Sequence, residues 1–349
     1  MLRKNLTVKN AVTTKCAGAE MKRNYYILQS GRLKREKNTV YFENQEMKKP
    51  IPVNDVDSLF AFGEIDINSK LLVFLSQQKI PVHFFNYYGY YSGTYYPREY
   101  LNSGFLLVKQ VQQYLDKNKR IGIAKEIVES ACHNLLKNLM HYRKHGKDIE
   151  KYIENIENER KNIENAKDVQ ELMGIEGRIR DIYYQSFNIF LREGFEFEKR
   201  TRRPPGNMIN CLVSFGNSLA YTTTLTEIYN TQLNPTISYL HEPGERRFSL
   251  SLDLSEVFKP IIVDRVIFNL VNNRIIKPEH FLEELNFCYL NDAGKKIFLS
   301  NYDEKLRTTV MHKKLKRNVS YQTLIRLECY KLVKHLINEE KYEGFKAWW

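Results

Sequence analysis

Between Met21 and about Tyr100, hydrophobic residues recur at every second position, the period of a half-buried strand. The alternation predicts short strands at 25–30, 31–35 and 39–44, separated by turn residues, with further strand at 51–53 and 58–62. Asn68 stands where an N-cap belongs and predicts a helix through Lys79, with Leu71, Leu72 and Leu75 on one face. Residues 81–86 return to strand. The stretch Phe84–Tyr100 then gathers seven tyrosines. They suit a stacking platform for bases. They suit equally cross-strand aromatic pairs on a half-buried sheet with turns at Gly89 and Gly93, the reading favoured by ordinary strand chemistry.

After Asn102 the period lengthens. Phe105, Val108, Val111 and Tyr114–Leu115 predict a helix over 104–117, and Ile127, Ala131, Leu135 and Leu139 predict another over 125–143. Ile149, Ile153, Ile156 and Ile163 form a narrow stripe amid dense charge, a solvated helix with one packed side. Residues 210–221 read as a buried helix. From Leu172 onward nearly everything reads as helix, to a last one over 321–338. The expected fold is α+β: a small N-terminal β-sandwich-like domain at 21–102, then a larger all-α domain at 103–349. Residues 1–20 have no compact pattern and no secretory h-region, and are expected to lie outside the fold as a leader.

Composition narrows the function. The chain has 349 residues, with 54 Lys and Arg against 41 Asp and Glu, a net charge of +13. Residues 1–20 hold four of the basic residues and one acidic one, so the remainder still carries +10. A surplus of that size points to a polyanionic partner, nucleic acid first. No stretch approaches the roughly 18 apolar residues of a membrane span. Cys16, Cys132, Cys211, Cys288 and Cys329 are odd in number and form no C-x-x-C pair, which argues against a disulfide framework or structural zinc and fits a reducing cytoplasm.

Three clusters in the helical half bear on chemistry. On the helix predicted at 173–187, Glu176 lies beside the face marked by Ile175, Ile179 and Ile182, where it could serve a site or pair with Arg180 one turn on. His241 ends an apolar stretch, and Asp253 and Glu256 follow at a spacing that stacks two carboxylates on one side of a helix. Such carboxylates repel unless a cation or proton lies between them. With His241 they make a mixed nitrogen and oxygen set suited to Mg²⁺ or Mn²⁺. The alternative makes Asp253 a helix cap and His241 a satisfied core imidazole. The third cluster, Lys199, Arg200, Arg202 and Arg203 before Pro204-Pro205-Gly206, is either a phosphate clamp or an exposed loop. A further basic set, His312–Arg317, precedes the last helix.

In this order the clusters resemble one family. Ile175-Glu176-Gly177-Arg178, Arg202-Arg203-Pro204-Pro205, Asn210, Leu240-His241, the block Ser249–Pro260 (SLSLDLSEVFKP) and Asp264-Arg265 follow the pattern of the CRISPR spacer-acquisition integrase, the first of the two core adaptation proteins. The similarity runs from Met21 to near the C-terminus, through the Tyr302 region, and the β half looks like the subtype I-B branch. Lys259 stands where the family often has Arg, and Glu256 where some members have Asp. The resemblance implies a metal-dependent DNA endonuclease and integrase that joins the 3′-hydroxyls of a captured fragment to the CRISPR repeat. It implies metal held by Glu176, His241 and Glu256, with Asp253 adjacent, and Mg²⁺ or Mn²⁺ as cofactor. Arg178, Arg200, Arg202, Arg203 and Lys259 are the implied DNA contacts. A homodimer built partly through the β halves, bridged by the second adaptation protein, is the implied assembly. A general metal-dependent nuclease on branched or single-stranded DNA would use the same site; a non-catalytic DNA-binding scaffold would instead have Asp253 as a cap and His241 in the core.

Overall fold

The computed structural model of the protein describes residues 22–202, 204–245, 247–284 and 287–349; the expected leader, Cys16 and Arg203 lie outside them. The strand-rich half contains β1 (Arg23–Ile27), β2 (Gly31–Glu36), β3 (Thr39–Glu43), β4 (Lys48–Ile51), β5 (Val56–Ala61), β6 (Ile65–Ile67), α1 (Ser69–Gln78), β7 (Val82–Phe85) and β8 (Tyr91–Tyr95). They form two four-stranded sheets, ordered β1-β5-β7-β8 and β4-β3-β2-β6. In the first sheet β1, β5 and β7 run parallel and β8 is antiparallel to β7. Asn68 caps α1 by accepting the Leu71 N–H at 3.0 Å, and Lys79 ends it in the left-handed conformation.

The first sheet is the wall between the halves, and strand alternation divides its two faces. Leu59 and Val82 face the core of the β half, with Ile27, Leu33, Leu71 and Phe74. Phe60, Phe62 and Phe85 face the helical core instead. His83 follows the second set. It is fully buried, its ring nitrogens each 2.8 Å from a threonine hydroxyl, Thr94 on β8 and Thr226 in the helical half. Burial pushes its pKa down to about 3, so it crosses this boundary as a neutral ring.

The helical half contains α2 (Gly104–Leu115), α3 (Lys117–Lys144), α4 (Glu150–Asn165), α5 (Val169–Gln185), α6 (Phe187–Phe190), α7 (Met208–Tyr229), α8 (Ser249–Lys259), α9 (Arg265–Asn272), α10 (Asp292–Arg307) and α11 (Tyr321–Leu336). Two short hairpins interrupt it, β9 (Phe281–Glu284) with β10 (Phe287–Leu290), and β11 (Thr309–His312) with β12 (Arg317–Ser320). The expectation of nearly continuous helix beyond Leu172 is corrected by these hairpins and by the non-helical described residues between 191 and 207 and between 230 and 248. Helix α7 is buried over most of its length, the pattern of a central core helix. The His312–Arg317 set forms the exposed turn of the second hairpin.

Two local expectations are revised. Gly93 lies within β8, paired with Phe84; only Gly89, at φ +82°, turns the chain. The tyrosines divide accordingly. Tyr91 and Tyr95 are strand residues, Tyr87 and Tyr88 pack edge-on against Phe287 and Tyr289, and Tyr96 and Tyr100 pack on Tyr229 of α7. The apolar stripe read on α2 faces outward: Phe105, Val108 and Leu115 are exposed, while Leu106, Gln110 and Gln113 are buried. Gln110 outweighs its polarity by bonding the backbone of Asn234 on both sides, donating at 3.1 Å and accepting at 2.7 Å.

The helix that matters most for function is α8, and its far end is irregular. Pro260 has no N–H to give, and residues 260–264 form one wide turn before α9 resumes. Two asparagines of α3, one turn apart, take up the loosened carbonyls. Asn134 donates to Val257 O at 2.9 Å and Asn138 to Pro260 O at 2.8 Å. Both asparagines are buried, so α8 is fixed on α3 by polar as well as apolar contacts. Among the described residues no helix is long and apolar enough to cross a membrane. Cys132, Cys211, Cys288 and Cys329 are buried free thiols.

Candidate active site

Three segments supply the site: α5, the loop ahead of α8, and α8 itself. Asp168 caps α5 by accepting the Glu171 N–H at 2.8 Å, and Ile175 and Ile179 bury its inner face. Glu176 sits on the edge of that face and remains partly exposed. One turn on, Arg180 is buried and donates through Nε to Glu176 Oε1 at 2.6 Å. The i,i+4 ion pair left open by the sequence is therefore present. The same guanidinium also reaches across to α8, where its Nη2 donates to Glu256 Oε2.

Glu256 is bonded on both oxygens, since Lys259 Nζ donates to Oε1 at 2.5 Å. Burial by itself would raise the Glu256 carboxyl. Arg180 and Lys259 outweigh it, with a smaller contribution from His241, and hold it at about 2. Lys259 is buried with its ammonium against Glu256, so the DNA contact expected of it would be made from inside the site rather than from an open surface.

Asp253 is wholly buried one turn before Glu256. Asp253 turns toward the loop. Its Oδ2 accepts the N–H groups of Tyr239 and Leu240 at 2.6 and 2.9 Å, and its Oδ1 accepts the His241 N–H and lies 2.9 Å from His241 Nδ1. It is not a cap of its own helix; it gathers the turn that carries His241. Four donors are what make a carboxylate tolerable at zero exposure. His241 is no core imidazole either. Its side chain keeps 23% exposure, and Nε2 has no hydrogen-bond partner among the described residues.

The donor set fits a hard divalent ion by type: two carboxylates and an imidazole whose other nitrogen is oriented by a carboxylate. As arranged, no three His, Cys, Asp or Glu side chains among the described residues come together as a metal cage. The carboxylate charge is balanced from within the chain by Arg180 and Lys259.

A family model described as "CRISPR associated protein Cas1" matches residues 25–304, most of the chain. The chain belongs to the Cas1 family. A protein of Thermodesulfovibrio yellowstonii named CRISPR-associated endonuclease Cas1 3 is 53% identical over 328 residues, covering 94% of this chain and all of that one. A solved Cas1 protein from Thermotoga maritima is 46% identical, with a TM-score of 0.84 over 93% of this chain and all of that one. Two more distant solved structures share the fold at 19% identity and TM-score 0.81. One is a casposase bound to its integration product, which matches over 93% of this chain and 94% of its own. The other is a Cas6-RT-Cas1–Cas2 complex, matching over 94% of this chain and 36% of that one.

The other basic residues of this Cas1 chain divide in two. Arg178 and Arg202 are exposed, Arg178 paired with Glu159 at 3.0 Å. Arg200, expected on DNA, is turned inward. Its guanidinium donates to Thr201 O at 2.5 Å, Asn210 Oδ1 at 2.9 Å and Ser214 Oγ at 3.0 Å. It joins the arginine-rich loop to the start of α7.

Behind the site lies a further buried acid, outside the expected ligand set. Asp264 is buried and accepts the Tyr183 hydroxyl at 3.1 Å, which itself accepts from Asn138 Nδ2 at 3.0 Å. Burial pushes its pKa up to about 7, against the pull of Arg180, Tyr183 and Lys259. The signal was available, since Asp264 ends the apolar run Pro260–Val263. Arg180 was legible only as a helix neighbour of Glu176; its reach to Glu256 was not.

Proposed function

We propose that this chain is the integrase of CRISPR adaptation, a metal-dependent DNA endonuclease that joins the 3′-hydroxyls of a captured fragment to the edge of a CRISPR repeat. The observation that carries the reading is the convergence of Glu176 and Glu256 on one guanidinium, with His241, held by Asp253, close enough to act on the Glu256 charge. Family membership and the names of the relatives support the chemistry.

Glu176, His241 and Glu256 are the proposed ligands of Mg²⁺ or Mn²⁺. A divalent ion there would lower the pKa of the attacking hydroxyl or water and offset charge on the phosphate. Asp253 fixes the His241 ring so that Nε2 is the nitrogen presented. Arg178 and Arg202, exposed near the site's helices, are the proposed grips on the phosphate backbone, with Arg203 beside them in sequence. Lys259 would meet DNA only at the reacting phosphate. The proposed partners are DNA, a second copy of this chain through the β half at 21–102, and the second adaptation protein. The helical half at 103–349 is the proposed catalytic unit. The proposed compartment is the cytoplasm, where buried free thiols persist.

The test is strand transfer. Full-length protein, its adaptation partner, a labelled fragment with free 3′-hydroxyls and a repeat-bearing plasmid are combined with Mn²⁺ or EDTA. Label should enter the plasmid only with metal, and not with Glu176→Ala or His241→Ala. Cutting without joining would indicate a general nuclease, and binding without any cleavage a scaffold.

A further inference from the structure

Among the described residues Arg180 is the one side chain bonded to both proposed carboxylate ligands. Glu176 and Glu256 come from helices 80 positions apart in the chain and converge only at its guanidinium. The group is buried, with a side-chain exposure of 11%, equal to that of Glu256. A surface arginine could swing into solvent at little cost. This one cannot, so its position is an equilibrium property of the site.

A divalent ion and this guanidinium compete for the same lone pairs. Both are cations, and two cations crowded into a poorly solvated site repel strongly. Both oxygens of Glu256 already accept a charged donor, Lys259 at Oε1 and Arg180 at Oε2, so a newcomer must share or displace one of them. Glu176 is bonded by Arg180 through Oε1. The guanidinium has somewhere to go. Tyr184 on its own helix and the buried carboxyl of Asp264 both lie close enough to interact with its charge.

Resting on the metal-site reading above, we propose that Arg180 is a built-in competitor of the divalent cation: it bridges Glu176 and Glu256 from within the chain, and a metal binds between them only as the guanidinium withdraws from Glu256 toward Tyr184 and Asp264. Arg180 is thus a positioning residue. It holds two like charges together before metal arrives, and it sets the metal concentration at which the site loads.

The experiment measures Mn²⁺ binding to the full-length protein without DNA, by the electron paramagnetic resonance of free Mn²⁺, alongside thermal unfolding with EDTA and with Mn²⁺. Arg180→Gln removes the competing charge. It should bind Mn²⁺ about tenfold more tightly, within the range by which neighbours of a metal site tune its affinity. It should unfold earlier than the parent in EDTA and recover more on adding Mn²⁺. Equal or weaker Mn²⁺ binding by a folded Arg180→Gln protein would overturn the inference. Glu256→Gln separates the two readings. If it binds Mn²⁺ as the parent does, the metal site itself is misassigned. If it loses binding while Arg180→Gln gains none, only the competitor role fails. Should Arg180→Gln not fold, the parent protein still decides. With arginine labelled at Nε, saturating Mg²⁺ should move the Arg180 Nε–H resonance and speed its exchange; an unchanged resonance would reject the displacement.

Discussion

The Nδ1 atom of His241 lies 2.9 Å from Oδ1 of Asp253, and the same carboxylate accepts three consecutive backbone N–H groups, those of Tyr239, Leu240 and His241. One buried acid therefore sets both the path of the loop and the direction of the imidazole. An amide cannot replace it, because its nitrogen accepts nothing and leaves donors unpaired. Asp253→Asn should lower the unfolding temperature, each orphaned buried donor costing about 1–3 kcal/mol. It should also weaken Mn²⁺ binding by about 10–100-fold, as loss of an orienting partner does. Calorimetry and a Mn²⁺ titration on one preparation check both.

The arginines should separate by experiment. Arg200 is spent on Thr201, Asn210 and Ser214, so Arg200→Ala should lower the unfolding temperature by removing a buried anchor between the arginine-rich loop and α7. Arg178→Ala and Arg202→Ala should leave that temperature unchanged. Each should instead reduce the salt dependence of DNA binding by about one counterion if it meets a phosphate. Fluorescence anisotropy over a salt series, paired with thermal melts, reads both.

Asp264 gives a pH dependence of defined sign. Its carboxyl titrates at about 7 in the folded chain, against 3.8 ordinarily. Below about pH 4 it is protonated in both states and costs nothing. Between pH 4 and 7 the unfolded chain ionises while the folded chain stays protonated, so the stability contributed by this residue falls as pH rises. Above 7 the loss is complete. Asp264→Asn removes that term, and its amide oxygen can still accept the Tyr183 hydroxyl. Relative to the variant, the parent should lose stability from pH 4.5 to 7.5, measured by urea unfolding. A constant difference across that range would refute the assignment.

Gly216 of α7 sits where the wide turn at 260–264 crosses it. A Cβ there would run into Cγ1 of Val263 and come within 3.0 Å of Phe298 Cζ. Both neighbours are buried and have no room to yield. Gly216→Ala should destabilise the protein by roughly 1–3 kcal/mol, the usual cost of overpacking. Because the crossing supports the turn that follows Glu256, metal affinity should fall with it; calorimetry and Mn²⁺ binding measure the two effects.

Local signals survived wherever local physics decides the structure. Asn68 caps its helix, Lys79 ends it in the left-handed conformation ahead of Pro81, and the isoleucines of α4 are the residues it buries. The stripe on α2 misled, because Phe105, Val108 and Leu115 repeat at helical spacing but point outward, while Gln110 points in to bond Asn234, 124 positions away. Asp253 and Glu256 were correctly placed on one helix. Asp253 bonds the loop of Tyr239–His241, whereas Glu256 bonds Arg180 and Lys259.

The sequence by itself determined the class of each half, the run of most elements and the order of Glu176, His241, Asp253 and Glu256, because period, caps and motif order act over a few residues. Only the tertiary structure decided that one guanidinium spans Glu176 and Glu256, that Arg200 faces inward and that Asp264 lies behind the site. Those outcomes depend on which helix packs beside which. Burial and the nearest opposite charge, neither written in local sequence, determine what each of these side chains does.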